Sequence, residues 1–123
     1  MHILIADDDR NFGFVMKTEL EREAHTVDLV HDGVEAVMHF LNSPYDAVFL
    51  DLSMPRLDGR DALKIIKKIN PDILAVFFSG NGGMVGSQEQ ETSGVNGAFF
   101  FQKPFEINKI MHLIHGFEVR ERQ

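Results

Sequence analysis

The chain has 123 residues, 44% of them hydrophobic and 25% charged, with a formal net charge of -7; that is enough apolar material for one core and too little for two ordinary domains. No stretch is long and apolar enough to span a membrane, no basic apolar leader precedes a small-residue cleavage site, and no cysteine is present for a disulfide framework or thiolate zinc site, so a soluble cytoplasmic domain is expected. Residues 1–60 carry 12 acidic and 5 basic side chains and residues 61–123 seven of each, which puts all the net negative charge in the first half and argues against direct nucleic acid binding by this domain.

Along the chain, His2-Ile-Leu-Ile-Ala6 reads as a short strand whose unbroken apolar run suits burial on both faces. Phe12, Val15, Met16 and Leu20 then recur at helical spacing and predict a first helix. Thr26 to Val30 is a second strand. Asp32 with Glu35 has the spacing of a capping box, opening a helix with Val34, Val37, Met38 and Leu41 as its apolar stripe. Tyr45 to Leu50 is a third strand that ends at Asp51. Asp58 caps a third helix carrying Ala62, Ile65, Ile66 and Ile69, which Asn70-Pro71 terminates. Ile73 to Phe78 and Ala98 to Phe101 are the fourth and fifth strands, and the last helix opens after Lys103-Pro104-Phe105 with Ile107, Ile110, Met111 and Ile114 on one face. Between those last two strands, Asn81 to Gly94 holds four glycines and almost no stripe, so a short, late or poorly ordered crossover helix is expected there. Residues 1–118 form the predicted domain and 119–123 a polar tail or the start of a linker.

Strands alternating with helices indicate a doubly wound α/β fold with a parallel sheet. Ligands of such sheets sit beyond the carboxyl ends of the strands. In this chain those ends carry Asp7-Asp8, Asp51, Ser79 and Gln102-Lys103, so the polar groups gather at one edge. Clustered carboxylates need a compensating cation, and hard oxygen donors point to magnesium, with manganese as a substitute, rather than to zinc. An aspartate can accept a phosphoryl group as an acyl phosphate, Lys103 can reach a phosphoryl oxygen, and the Ser79 hydroxyl can donate to the modified group.

Taken in order, Ile3-Leu-Ile-Ala-Asp7-Asp8, Asp32-Gly33 with Glu35-Ala36, Asp51-Leu-Ser-Met54-Pro55 with Leu57-Asp58-Gly59, Ser79-Gly80 and Lys103-Pro104-Phe105 resemble the receiver domain of two-component response regulators, of the chemotaxis-regulator type. The resemblance covers essentially the whole chain. It implies a five-stranded flavodoxin-like parallel sheet of order 2-1-3-4-5 and a phosphorylation-dependent switch. Asp51 then stands at the phosphoacceptor position, charged by a histidine kinase or a histidine phosphotransfer protein and read by a downstream protein or fused output domain. Asp8 stands at the direct magnesium-ligand position, Asp7 beside it acting mainly through water, and Asp51 with the Ser53 carbonyl completes the set. Lys103 holds the family's lysine position, aimed by a cis-favouring bond before Pro104. Ser79 holds the switch hydroxyl position, followed by the small Gly80.

Two departures stand out. Phe100 occupies the switch aromatic position, often tyrosine, and lacks a hydroxyl for a partner. The glycine-rich segment from Ser79 to Lys103 is longer than usual, which reshapes a helix the family uses for dimers and targets. Ser53 and Asn81, at the positions that tune acyl-phosphate lifetime, are small and do not shield the site from water. Asp58 reads as a helix cap, Asp9 as an exposed loop residue, His112 and His115 as surface or packing residues, and alternate members of Phe99-Phe100-Phe101 as core. Two other functions remain: a receiver-like binding module that works without phosphorylation, and a small phosphatase with an aspartate nucleophile. The intact acidic pair, acceptor, hydroxyl and lysine argue against the first, and the lack of a cap or second acid-base residue against the second.

Overall fold

The computed structural model describes residues 1–80, 98–103 and 106–121. In chain order the elements are β1 (His2–Ala6), α1 (Arg10–Arg22), β2 (Thr26–Val30), α2 (Gly33–Asn42), β3 (Ala47–Asp51), α3 (Gly59–Ile69), β4 (Leu74–Ser79), β5 (Phe99–Gln102) and α4 (Ile107–Glu121). The five strands form one parallel sheet of order β2-β1-β3-β4-β5. The expected crossover helix between residues 81 and 94, and the bond before Pro104, lie outside the described residues. Among the described residues no helix is long and apolar enough to cross a membrane.

Continuous apolar runs in β1, β3 and β4 follow from burial on both faces of the sheet. One face carries Leu4, Val48, Leu50, Ala75, Phe77 and Phe100 against Ala36 and Phe40 of α2 and Leu63 and Ile66 of α3. The other carries Ile3, Ile5, Phe49, Val76, Phe78 and Phe101 against Met16 and Leu20 of α1 and Ile110 and Ile114 of α4. The Phe99-Phe100-Phe101 run therefore splits, Phe100 to the first face and its neighbours to the second, as strand alternation requires.

Three helix stripes differ in part from the sequence reading. Val15 in α1, Met38 and Leu41 in α2, and Ile65 and Ile69 in α3 are exposed. The expected Met16 and Leu20 of α1 and Ala62 and Ile66 of α3 are buried, joined by Gly13 in the first and by Gly59 and Leu63 in the second, whereas α2 buries Gly33, Ala36 and Phe40. The phase of α2 is therefore shifted, its expected Val34 and Val37 being only half-buried, while α1 and α3 keep half of the expected stripe in the core. Gly13, Gly33, Ala36 and Gly59 are buried at close approaches of these helices, and a reading keyed on large side chains passes over them. A Cβ on Gly33 would lie 1.8 Å from the Leu57 carbonyl oxygen, and one on Gly59 would lie 2.4 Å from that of Asp51. In α4 the expected face holds, with Ile110 and Ile114 buried and Ile107 and Met111 partly so. The helix runs on to Glu121, one turn into the stretch read as a tail.

Each of the first three helices has an aspartate N-cap. Asp9 accepts from the Phe12 N–H at 3.1 Å, Asp32 from Glu35 at 2.8 Å and Asp58 from Asp61 at 3.0 Å. The predicted box at α2 closes one residue early, because Glu35 accepts from the His31 N–H rather than from that of the cap. Asp32 also takes two guanidinium hydrogen bonds from Arg56, at 3.1 and 2.7 Å. That pair ties the loop after β3 to the start of α2 and holds Arg56 at a φ of 67°, a region that L-residues seldom occupy.

Candidate functional site

In this strand order the chain leaves β1 toward one edge of the sheet and returns at β3 to build the other, so the crevice lies beyond the ends of β1 and β3. Asp7 and Asp8 follow β1 directly, and Asp51 is the last residue of β3. One carboxylate oxygen from each of the three lies within 4.8 Å of the others, with Asp7 and Asp51 buried and Asp8 exposed. The main chain is pinned on both sides of this point. The Asp7 N–H donates to the Val30 carbonyl at 3.1 Å, His31 Nδ1 donates to the Asp7 carbonyl at 3.1 Å, and the Leu52 N–H donates to the Phe78 carbonyl at 2.9 Å.

Asp7 has no exposed surface. Its Oδ1 accepts from the Asp9 N–H at 2.8 Å and its Oδ2 from Lys103 Nζ at 2.9 Å. The Lys103 ammonium also lies 4.0 Å from the centroid of the Phe12 ring. Lys103 is set beside β4 by its own N–H, which donates to the Ser79 carbonyl at 2.8 Å. Ser79 ends β4, buried, with its hydroxyl donating to the Gly80 carbonyl at 3.2 Å. Ser53 is exposed in the loop after β3, and its N–H donates to Asp51 Oδ1 at 3.1 Å.

The Asp51 carboxyl is pushed up from its ordinary 3.8 to about 8. Burial is the largest cause, followed by the charge and hydrogen bonding of Asp7; the Ser53 N–H and the Lys103 charge oppose the rise. Three carboxylates facing one lysine are thus under-compensated. A hard divalent cation fits this donor set, because oxygen ligands are what it takes and its charge relieves the repulsion that holds Asp51 neutral.

The pocket therefore unites Asp7, Asp8, Asp51 and Lys103, with Ser79 and Ser53 adjoining. Asp9 is exposed, as expected, and also caps α1, and His112 and His115 are exposed on α4. Phe100 is wholly buried, packed on Phe77 at 5.1 Å with the Arg60 guanidinium 6.0 Å above its ring. Two contacts escaped the sequence reading. His31 shows there as an isolated histidine, and Phe12 as one more member of a core stripe.

The response regulator receiver domain profile matches residues 3–115, and the chain belongs to that family. Response regulator MprA of Mycobacterium ulcerans is 28% identical over 113 residues, which cover 90% of this chain and 47% of MprA. The receiver domain of Francisella response regulator 1452 superposes with a TM-score of 0.84 at 26% identity, over 98% of both chains. A response regulator receiver domain protein from Clostridium thermocellum gives 0.84 at 27%, over 98% of this chain and 96% of its own. The chain spans about half the length of the curated relatives it matches.

Proposed function

We propose that this receiver domain is a phosphorylation-dependent switch in which Asp51 takes a phosphoryl group from the phosphohistidine of a histidine kinase or phosphotransfer protein. The observation that carries this reading is the convergence of the Asp7, Asp8 and Asp51 carboxylates with the Lys103 ammonium at the switch point of the sheet. A carboxylate oxygen of Asp51 attacks phosphorus, the phosphorus–nitrogen bond of the donor breaks, and the imidazole leaves with its electron pair and takes up a proton. The product is an acyl phosphate on Asp51.

Asp8, Asp51 and the Ser53 carbonyl would hold magnesium directly, and Asp7 would do so through water. When bound, the ion supplies positive charge against the carboxylates and the incoming phosphoryl oxygens. Lys103 moves its ammonium from Asp7 to a phosphoryl oxygen. Ser79 turns its hydroxyl from the Gly80 carbonyl toward the same group, and the new contact is the switch. Phe100, already packed inward, has no hydroxyl to offer a partner, so the output surface differs from one that reads a tyrosine. A downstream protein or fused output domain reads the change.

Small-molecule donors separate this reading from its competitors. With phosphoramidate and magnesium, a stoichiometric modification that hydroxylamine removes is expected. Repeated turnover of p-nitrophenyl phosphate would instead mark a phosphatase, and no modification at all would mark a binding module.

A further inference from the structure

The seat of the Lys103 ammonium has two sides. One is the Asp7 carboxylate at 2.9 Å and the other is the face of Phe12, 4.0 Å from the ring centroid. A lysine head on a flexible four-carbon stem has no fixed aim of its own. The Phe12 ring is well anchored. It meets Phe78 of β4 edge-on at 5.1 Å, Phe78 meets Phe49 of β3 in the same way at 5.7 Å, and the Phe12 N–H is the one that Asp9 caps. The ring is thus keyed to the strand that ends in Asp51. The Lys103 side chain is only 17% exposed, and a cation–π contact strengthens as water is withdrawn.

The two contacts differ in what they allow. A carboxylate holds an ammonium at one place, and Lys103 must leave Asp7 to serve a group on Asp51. The face of a ring attracts a cation without prescribing a hydrogen-bond direction, so the ammonium can shift across it and stay held. We propose that Phe12 is a positioning residue for Lys103, its ring the seat on which the ammonium pivots from Asp7 to a phosphoryl oxygen on Asp51. This inference rests on Asp51 being the acceptor.

Three measurements on the whole chain test it. In the unmodified protein without metal, the ε-methylene protons of Lys103 are expected to be shifted upfield by the Phe12 ring current and to return to ordinary lysine positions in Phe12→Leu. With acetyl phosphate and saturating magnesium, Phe12→Leu and the shape-preserving replacement of Phe12 by pentafluorophenylalanine are expected to slow modification roughly three- to thirtyfold, the span of a partly desolvated cation–π contact. In a Lys103→Met background the Phe12 change is expected to have no further effect. A pentafluorophenylalanine protein as fast as wild type, or a Phe12→Leu loss of the same size without Lys103, would reduce the ring to packing and overturn the proposal. Failure of the wild-type chain to be modified would instead overturn the acceptor reading and the pivot with it, while the ring-current shift separately decides the seat.

Discussion

Asp51 meets two opposed demands. Burial and the neighbouring Asp7 favour its neutral form, holding it near 8, whereas nucleophilic attack needs the anion. The same opposition sets how stability depends on pH. Between about 4 and about 8 the metal-free folded chain keeps a proton at Asp51 that the unfolded chain has released. The contribution of Asp51 to stability is therefore greatest below that window, declines as pH rises through it and levels off above about 8. Asp51→Asn keeps the shape and removes the proton, so in chelator it is expected to flatten this decline and to stabilise the fold by on the order of a few kcal/mol at pH 8. Urea titrations at pH 5 and pH 8 measure it; parallel pH dependence in the two proteins would contradict the account. The composition of the pocket was legible in the sequence, because Asp7, Asp8, Asp51, Ser79 and Lys103 all fall at strand ends. Their pairing was not. That Lys103 rests on Asp7 and Phe12, with Ser79 turned to Gly80, depends on rotamers and through-space distances that no spacing along the chain encodes.

At the scale of elements, helix starts were easier to read than helix faces. Asp32 and Asp58 lie where capping chemistry puts them, and both caps are present in the fold. The face of α2 is rotated and those of α1 and α3 hold only at Met16, Leu20, Ala62 and Ile66, because Gly13, Gly33, Ala36 and Gly59 pack closely while Val15, Met38, Leu41, Ile65 and Ile69 face water. Two substitutions follow the difference. Asp58→Ala leaves the first turn of α3 without its acceptor and is expected to cost about 1 kcal/mol in thermal or urea unfolding, with modification of Asp51 at the wild-type rate. Gly59→Ala, one residue on, drives a methyl group against the Asp51 carbonyl oxygen. It is expected to cost about 1–3 kcal/mol and also to slow modification, since the strand end carrying the acceptor must shift. At Gly33 the obstacle is the Leu57 main chain, so Gly33→Ala is expected to loosen the loop after β3 from α2. Amide exchange over residues 52–58 reads that loosening, and unchanged protection there would contradict it.

At the scale of the molecule, the sheet order makes one site from distant segments. β1 and β3 are neighbours because the chain crosses to β2 between them, and that crossing opens the crevice into which Asp7, Asp8 and Asp51 project. Lys103, placed beside β4 by the Ser79 carbonyl, closes it from the other side. Alternation of strand and helix with unbroken apolar strands was enough to read a doubly wound parallel sheet, since burial on both faces leaves few other arrangements for such runs; the strand order followed only from the resemblance to receiver domains. The measurement that tests the central claim most directly is the intact mass of the chain after incubation with magnesium and acetyl phosphate, beside Asp51→Asn. The account expects a gain of about 80 Da that vanishes in the variant and in chelator; an unchanged mass in the folded wild-type protein, or an equal gain in Asp51→Asn, would contradict it.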